Sequence, residues 1–440
     1  MRRSSRPPLC GDESNTPPGG GRFNRRIARS LDPLSMSAGN RSGDVLLSAQ
    51  LLIGSVPVAS SSFDLIEKLV GFPTVSRDSN MALIDFVRDY LDGYGVASKL
   101  VPNADGTKAN LYATVGPVVE GGVVLSGHTD VVPIDGQPWD SDPFVIREDN
   151  GKLYGRGTCD MKSFIAVGLA LVPEMLEKGL KRPIHFALSY DEEVGCVGAP
   201  DMIERMAAEL PASKAVIVGE PTSMSVVNAH KGMIGCETVV TGYEAHSSQT
   251  HRGVSAVMNA ARLITFIDEM AREAAANRRS TAGFEPPYTS IHVGTVRGGT
   301  AMNIISRECR FQWDVRNIPE DDPKDYLDRF EARCDELRAE MQAVSAQADI
   351  VNTFDYHAPG LKPEPGGAAE ELLRVLTGLN DTGVVAYCTE AGQFQEAGFS
   401  TIICGPGSID QAHQPNEFIE RAQVSRCEEV LRNLVDYQCR

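Results

Sequence analysis

From about Ser62 the chain alternates short apolar runs with segments of helical period, and this alternation restricts its fold more than any other feature. Residues 63–70 and 82–91 carry apolar side chains at helical spacing. Extended runs follow at 109–116 and 123–126. A helix is expected at 164–176, a buried strand at 184–189, a helix at 199–210 and a strand at 215–219. Strands that alternate with helices build a mostly parallel α/β sheet. The order then changes. A strand at 236–242, a long helix at 254–275, strands at 290–296 and 309–315, a helix at 326–341 and a strand at 350–355 form a βαββαβ series, the ferredoxin-like split motif. The α/β pattern resumes after Gly360, with a helix at 368–376, strands at 384–387 and 401–404, and a closing helix at 419–437. We therefore expect an α/β domain in two parts, 45–233 and 357–440, with a two-layer domain inserted at 234–356.

The chain of 440 residues, 42% of them hydrophobic, is long enough to fill two such cores. Its formal net charge of -17 repels phosphate backbones, so no nucleic-acid partner is expected. No apolar run approaches the roughly 20 residues that a membrane-spanning helix needs, so no membrane partner is expected. The 10 cysteines form no CxxC pair and read as reduced thiols of a cytoplasmic protein. Residues 1–44, rich in Arg, Ser, Pro and Gly, cannot bury enough surface to order themselves. They read as a disordered extension, or as codons upstream of a start at Met36. Asp12, Glu13 and Asp32 argue against a transit peptide. Residues 45–59 fit a docking helix or strand better than a signal sequence, because Gln50 interrupts the apolar run.

Five motifs carry chemistry, and each follows an expected strand or turn. Ser126-Gly127-His128-Thr129-Asp130 ends the run at 123–126. His128 and Asp130 would share a face of extended chain, as two ligands, a ligand with a supporting carboxylate, or merely a capped turn. Gly155-Arg156-Gly157-Thr158-Cys159-Asp160 precedes a helix, where Asp160 is either a ligand or merely the N-cap. Asp191-Glu192-Glu193 ends a buried strand. Consecutive acids there are expensive to desolvate unless cations neutralise them or the turn is solvated. Glu220 ends the next strand, and His413 lies beyond the strand at 401–404. Ligands at the carboxyl ends of strands are the geometric default in open α/β sheets. Two histidines and several carboxylates exceed one tetrahedral ion. They fit two divalent ions that share a carboxylate, with zinc preferred and cobalt or manganese open. One acid of the Glu192–Glu193 doublet would remain as a general base.

These motifs, in this order and with a βαββαβ insertion, resemble the M20 family of metallopeptidases and deacylases over roughly residues 62–440. The resemblance implies a zinc-peptidase-like catalytic domain and an inserted domain that acts as lid and homodimer contact. It implies that His128, Glu193, Glu220 and His413 are metal ligands, that Asp160 bridges the two ions, that Glu192 is the base and that Asp130 orients His128. The segment Gly242 to Ser248 resembles the family's stretch whose histidine, here His246, stabilises the oxyanion, often from a partner subunit. Asn303 and Arg316 resemble its substrate-contacting pair, with Arg316 suited to a carboxylate. Glu220-Pro221-Thr222, His230-Lys231-Gly232, Thr389-Glu390-Ala391-Gly392 and the block from Cys404 to Phe418 resemble those of family members that deacylate small N-acyl amino acids.

Overall fold

The first described element starts at a capping box. Asp64 N donates to Ser61 Oγ, and Ser61 N donates to Asp64 Oδ2, which closes the N-terminus of α1 (Ser62–Val70). The structure, a computed structural model, describes residues 60–278 and 283–440. The expectations for 1–44 and 45–59 lie outside the described residues.

Helix α2 (Met81–Gly93) leads to strands β1 (Ser98–Pro102), β2 (Ala109–Val115) and β3 (Gly122–His128), then to the hairpin of β4 (Arg147–Asp149) and β5 (Lys152–Tyr154). The single helix expected at 164–176 is two, α3 (Lys162–Ala170) and α4 (Val172–Lys178). Pro173 has no N–H to donate to the carbonyl four residues back, so the run breaks at Leu171 and restarts with the proline in its first turn. Next come β6 (Ile184–Ser189), α5 (Pro200–Glu209), β7 (Ser213–Pro221) and β8 (Val227–His230). The βαββαβ series is β9 (Met233–Thr241), α6 (Ala256–Ala276), β10 (Ser290–Gly298), β11 (Glu308–Arg316), α7 (Pro323–Gln342) and β12 (Asp349–Ala358). The chain ends with α8 (Ala368–Thr377), β13 (Gly383–Val385), α9 (Ala391–Glu396), β14 (Thr401–Gly405), β15 (Phe418–Glu420) and α10 (Arg421–Gln438). The closing helix begins later than its apolar period implies, because residues 418–420 pair with β5 instead.

Eight strands form the large sheet in the order β1-β2-β6-β3-β7-β14-β8-β13. Its centre, β6-β3-β7-β14, is parallel, so those four carboxyl ends lie at one edge. The β1–β2 and β2–β6 pairs are antiparallel, which makes the sheet mixed. The short turn at 103–108 can join only antiparallel neighbours. Residues of α1, α2, α3 and α10 cover one face, and Met202, Ile203 and Met206 of α5 with Phe394 of α9 cover the other.

The second sheet runs β10-β11-β9-β12, all antiparallel, which is the strand order of the split βαββαβ motif. Leu263 and Ile267 of α6 and Phe330 and Leu337 of α7 pack on Phe311 and Trp313 in a separate core. The Trp313 and Phe330 rings lie 4.6 Å apart. The nine cysteines among the described residues form no disulfide. No helix among them is long and apolar enough to cross a membrane.

Candidate metal centre

The parallel edge delivers the site. His128 is the last residue of β3, Glu192 and Glu193 follow β6, Glu220 is near the end of β7, and His413 lies beyond β14. Asp160 comes from the loop before α3. Gly157 turns that loop at φ +85°, where a Cβ would stand 2.8 Å from Val131 Cγ1. Glu417 then fixes it. Its Oε1 accepts the N–H groups of Gly157 at 3.1 Å, Cys159 at 2.8 Å and Asp160 at 3.1 Å, while Arg156 Nη1 donates to Oε2 at 2.6 Å. Arg156 and Glu417 are both buried.

At the centre, the two oxygens of Asp160 face different histidines. Oδ1 is 2.9 Å from His128 Nε2, and Oδ2 is 3.3 Å from His413 Nε2. Glu220 Oε1 lies 3.8 Å from His128 Nε2, and Glu193 Oε2 lies 3.0 Å from His413 Nε2. The structure thus brings together all seven residues that the sequence placed around the site. The donor atoms of His128, Asp160 and Glu193 lie within 4.8 Å of one another, as do those of His128, Glu192 and Glu220. Glu193 Oε1 and Glu220 Oε1 are buried without a hydrogen-bond partner. Such oxygens are costly to leave unpaired, and divalent cations would satisfy them. The donor set, histidine nitrogens and carboxylate oxygens, fits such ions.

Asp130 does more than its spacing implied. His128 Nδ1 is nearer its backbone carbonyl, at 2.9 Å, than its Oδ1, at 3.6 Å. The carbonyl can only accept, so Nδ1 carries a proton, and Nε2, which faces Asp160 Oδ1, is the nitrogen turned toward the cluster. The carboxylate accepts from Ser76 Oγ at 2.7 Å and from the backbone N–H groups of Glu192 and Glu193 at 3.2 and 3.3 Å. It therefore ties the His128 turn to the acidic doublet.

The electrostatics are those of a cation site. Burial pushes Glu193 up to about 7, with Asp160 adding repulsion, and drives Glu192 and Glu220 well above the usual carboxylate range. Asp160 is held low despite burial by hydrogen bonds from His128 and His413. Contact with Asp160 and Glu193 pushes His413 up to about 10.

Several neighbours had no role assigned to them from their residue type or spacing. Glu390, fully buried at the start of α9, receives Ser126 Oγ at 3.4 Å, and burial raises it to about 7. Its sequence signal was the resemblance of Thr389-Glu390-Ala391-Gly392, which assigned the acid no role of its own. Cys196 donates its Sγ proton to Glu192 Oε1 at 3.2 Å. Nothing in the spacing linked Glu417 to Asp160.

The three expected substrate contacts of the smaller sheet do not join this cluster. His246 is exposed, with Nδ1 2.8 Å from Ser248 Oγ, and Asn303 is exposed beside it, its carbonyl accepting Ser247 N. Arg316 donates Nε to Asp314 Oδ2 at 2.9 Å. Register separates them. Thr241 pairs with Glu308, so the ends near His246 and Asn303 lie at one edge, and Arg316 closes β11 roughly 25 Å away. Within one chain, Asn303 and Arg316 therefore stand at opposite ends of their sheet.

Residues 124–437 match the profile of peptidase family M20/M25/M40. The acetylornithine deacetylase of Myxococcus xanthus is 34% identical over 379 residues, 85% of this chain and 96% of that protein. Among solved structures, an M20 family metallo-carboxypeptidase from Sulfolobus solfataricus shares the fold with a TM-score of 0.67 at 18% identity, over 86% of this chain and 99% of that one. A dinuclear metal-binding M20 peptidase from Bacillus subtilis shares it at 0.56 and 13% identity, over 85% and 96%. The chain belongs to peptidase family M20/M25/M40 and is a hydrolytic enzyme acting on small molecules.

Proposed function

We propose that this hydrolase cleaves the acetamide of N2-acetyl-L-ornithine to L-ornithine and acetate, a step of arginine biosynthesis, as a cytoplasmic homodimer. The observation that carries the chemistry is Asp160, whose two oxygens face two different histidines. The substrate reading is supported by similarity to the Myxococcus xanthus deacetylase along nearly its whole length. In this reading His128, Glu220 and Asp160 would hold one ion, and His413, Glu193 and Asp160 would hold the other, with zinc preferred and cobalt able to replace it. Bound there, the ions would lower the pKa of a water and polarise the amide carbonyl. Glu192 takes the proton of the attacking water and passes it to the departing α-nitrogen. Asp130 keeps His128 in the tautomer that leaves Nε2 free. Arg316 binds the α-carboxylate from within the chain. His246 stabilises the oxyanion and Asn303 touches substrate from a second copy, because both lie at the far edge of their own sheet. Residues 234–356 form the inserted lid and dimerisation domain; 45–233 and 357–440 form the catalytic one.

Substrate profiling of metal-loaded protein tests this. Acetate and ornithine should appear from N2-acetyl-L-ornithine and stop with a chelator. Faster turnover of N-succinyl-diaminopimelate, another N-acyl amino acid or a dipeptide would replace the assigned substrate with another of the family's.

A further inference from the structure

Of the residues proposed to hold metal, His413 is the least enclosed. Its side chain is 49% exposed, against 6% or less for His128, Asp160, Glu193 and Glu220. Burial holds those four in place, whereas His413 depends on the turn that carries it. That turn keeps His413 at φ 61° and Asn416 at φ 57°, in the left-handed region that few non-glycine residues adopt. The loop between β3 and β4 clasps it at two points. Gln137 Nε2 donates to the His413 carbonyl at 3.0 Å. Further along the same loop, Asp140 N donates to Asn416 Oδ1 at 3.0 Å, and Asn416 Nδ2 donates back to Asp140 Oδ2 at 3.1 Å.

The Gln137 amide can face only one way. Its Oε1 accepts from Arg156 Nη2 at 2.6 Å and from Trp139 Nε1 at 3.1 Å, and neither of those groups can accept in return. The amide nitrogen is thereby turned to the His413 carbonyl, which has no proton to give. Arg156 is pinned in its turn. It is buried, its Nη1 donates to Glu417 Oε2 at 2.6 Å, and its guanidinium lies 5.1 Å from the centre of the Trp139 ring. A continuous set of hydrogen bonds therefore runs from the Asp160 loop through Glu417, Arg156 and Gln137 to the backbone of His413.

We propose that Gln137 is a positioning residue for the metal on the His413 side of the site, acting through the His413 carbonyl. Glu417 anchors Asp160, which both ions would share, so its loss is felt at both. Gln137 anchors His413, so its loss is felt at one. Without the Gln137 bond the left-handed turn can relax, and the half-exposed imidazole swings away from Glu193 and Asp160 into water. The effect on metal rests on the reading of His413 as a ligand, whereas the hydrogen-bonded chain does not.

Metal-free full-length chain is titrated with zinc against a chromophoric chelator, and the zinc kept after dialysis is counted. Gln137→Ala should weaken one of the two ions by about 10–100-fold, the range over which the outer partners of a ligand act, and leave the other within about twofold. Gln137→Glu keeps an acceptor for Arg156 and Trp139 and loses only the donor to His413. It should fold and show the same selective loss. In both variants kcat should fall at limiting zinc and recover in excess zinc, which a general loosening of the fold would not give. His413→Ala should lose that same ion. Adding Gln137→Ala to it should change affinity by no more than about twofold, because both act through one residue. Equal weakening of both ions, native affinity in Gln137→Glu, or an undiminished effect of Gln137→Ala on top of His413→Ala would overturn the proposal. Native affinity for both ions in His413→Ala would instead remove His413 from the ligand set, and with it the reading on which the proposal rests.

Discussion

The two sheets treat their strand ends in opposite ways. In the large sheet, β6, β3, β7 and β14 run parallel, so their following loops crowd one edge and bring His128, Glu192, Glu193, Glu220 and His413 around Asp160. In the smaller sheet every neighbour is antiparallel, and successive strand ends alternate between edges. Its polar candidates scatter accordingly: His246 and Asn303 at one edge, Arg316 at the other. Parallel pairing concentrates chemistry within one chain. Antiparallel pairing leaves surfaces that can complete a site only by reaching outward. The burial follows the same division. Asp130, Asp160 and Glu220 are buried and Glu192 and Glu193 half-buried, whereas His246 and Asn303 stand in solvent.

If the chemistry resides at the parallel edge, Glu192→Gln should lower kcat by about a thousandfold while metal content stays level. Steady-state rates and metal analysis on the same sample would show it, and an unchanged kcat would remove Glu192 from the base position. The separateness of the two cores can be broken from the other side. Phe330→Ala empties the centre of the smaller core and should cost about 3–5 kcal/mol, read by denaturant titration. Metal bound to the large sheet should survive to higher denaturant than the smaller core does; joint loss in one transition would mean the cores fold as one.

The large sheet also hides a histidine that has no counterpart among the described residues of the smaller core. His185 on β6 is fully buried, with Nδ1 2.9 Å from Thr114 Oγ1, and burial lowers it from 6.5 to about 4. Its folded value lies below its unfolded one, so the stability it protects is whole above pH 6.5 and drains as pH falls toward 4. The loss is roughly 3 kcal/mol at most. Denaturation midpoints measured across that window should fall in the native chain and stay flatter in His185→Gln. Next in size is Glu417→Gln, which leaves the Asp160 loop with a weaker anchor and should lower metal affinity by about 10–100-fold in chelator competition. The smallest effect is expected in the antiparallel sheet. Arg316→Ala should raise KM by about tenfold with kcat nearly kept, since an Arg–carboxylate contact binds ground and transition states alike.

Much of this was legible in the chain itself. Apolar period and strand-end position marked His128, Asp160, Glu192, Glu193, Glu220 and His413, because a buried strand that ends in acids or histidine has few stable explanations. The same patterns gave the βαββαβ series almost element by element. They failed where a single residue overrode the period, as Pro173 splits the expected helix, and where a short strand such as residues 418–420 exists only because a distant partner is there.

What the sequence determined by itself was therefore the inventory: which segments are buried, which side chains bear chemistry and which element each one ends. The tertiary structure alone decided the pairings. Glu417 is bound to the Asp160 loop and Asp130 to the backbone of the acidic doublet, although each pair is far apart along the chain. Local period reports how one segment meets water. It carries no information about which two loops a sheet brings to the same edge, because strand order and direction are settled by packing across the whole fold.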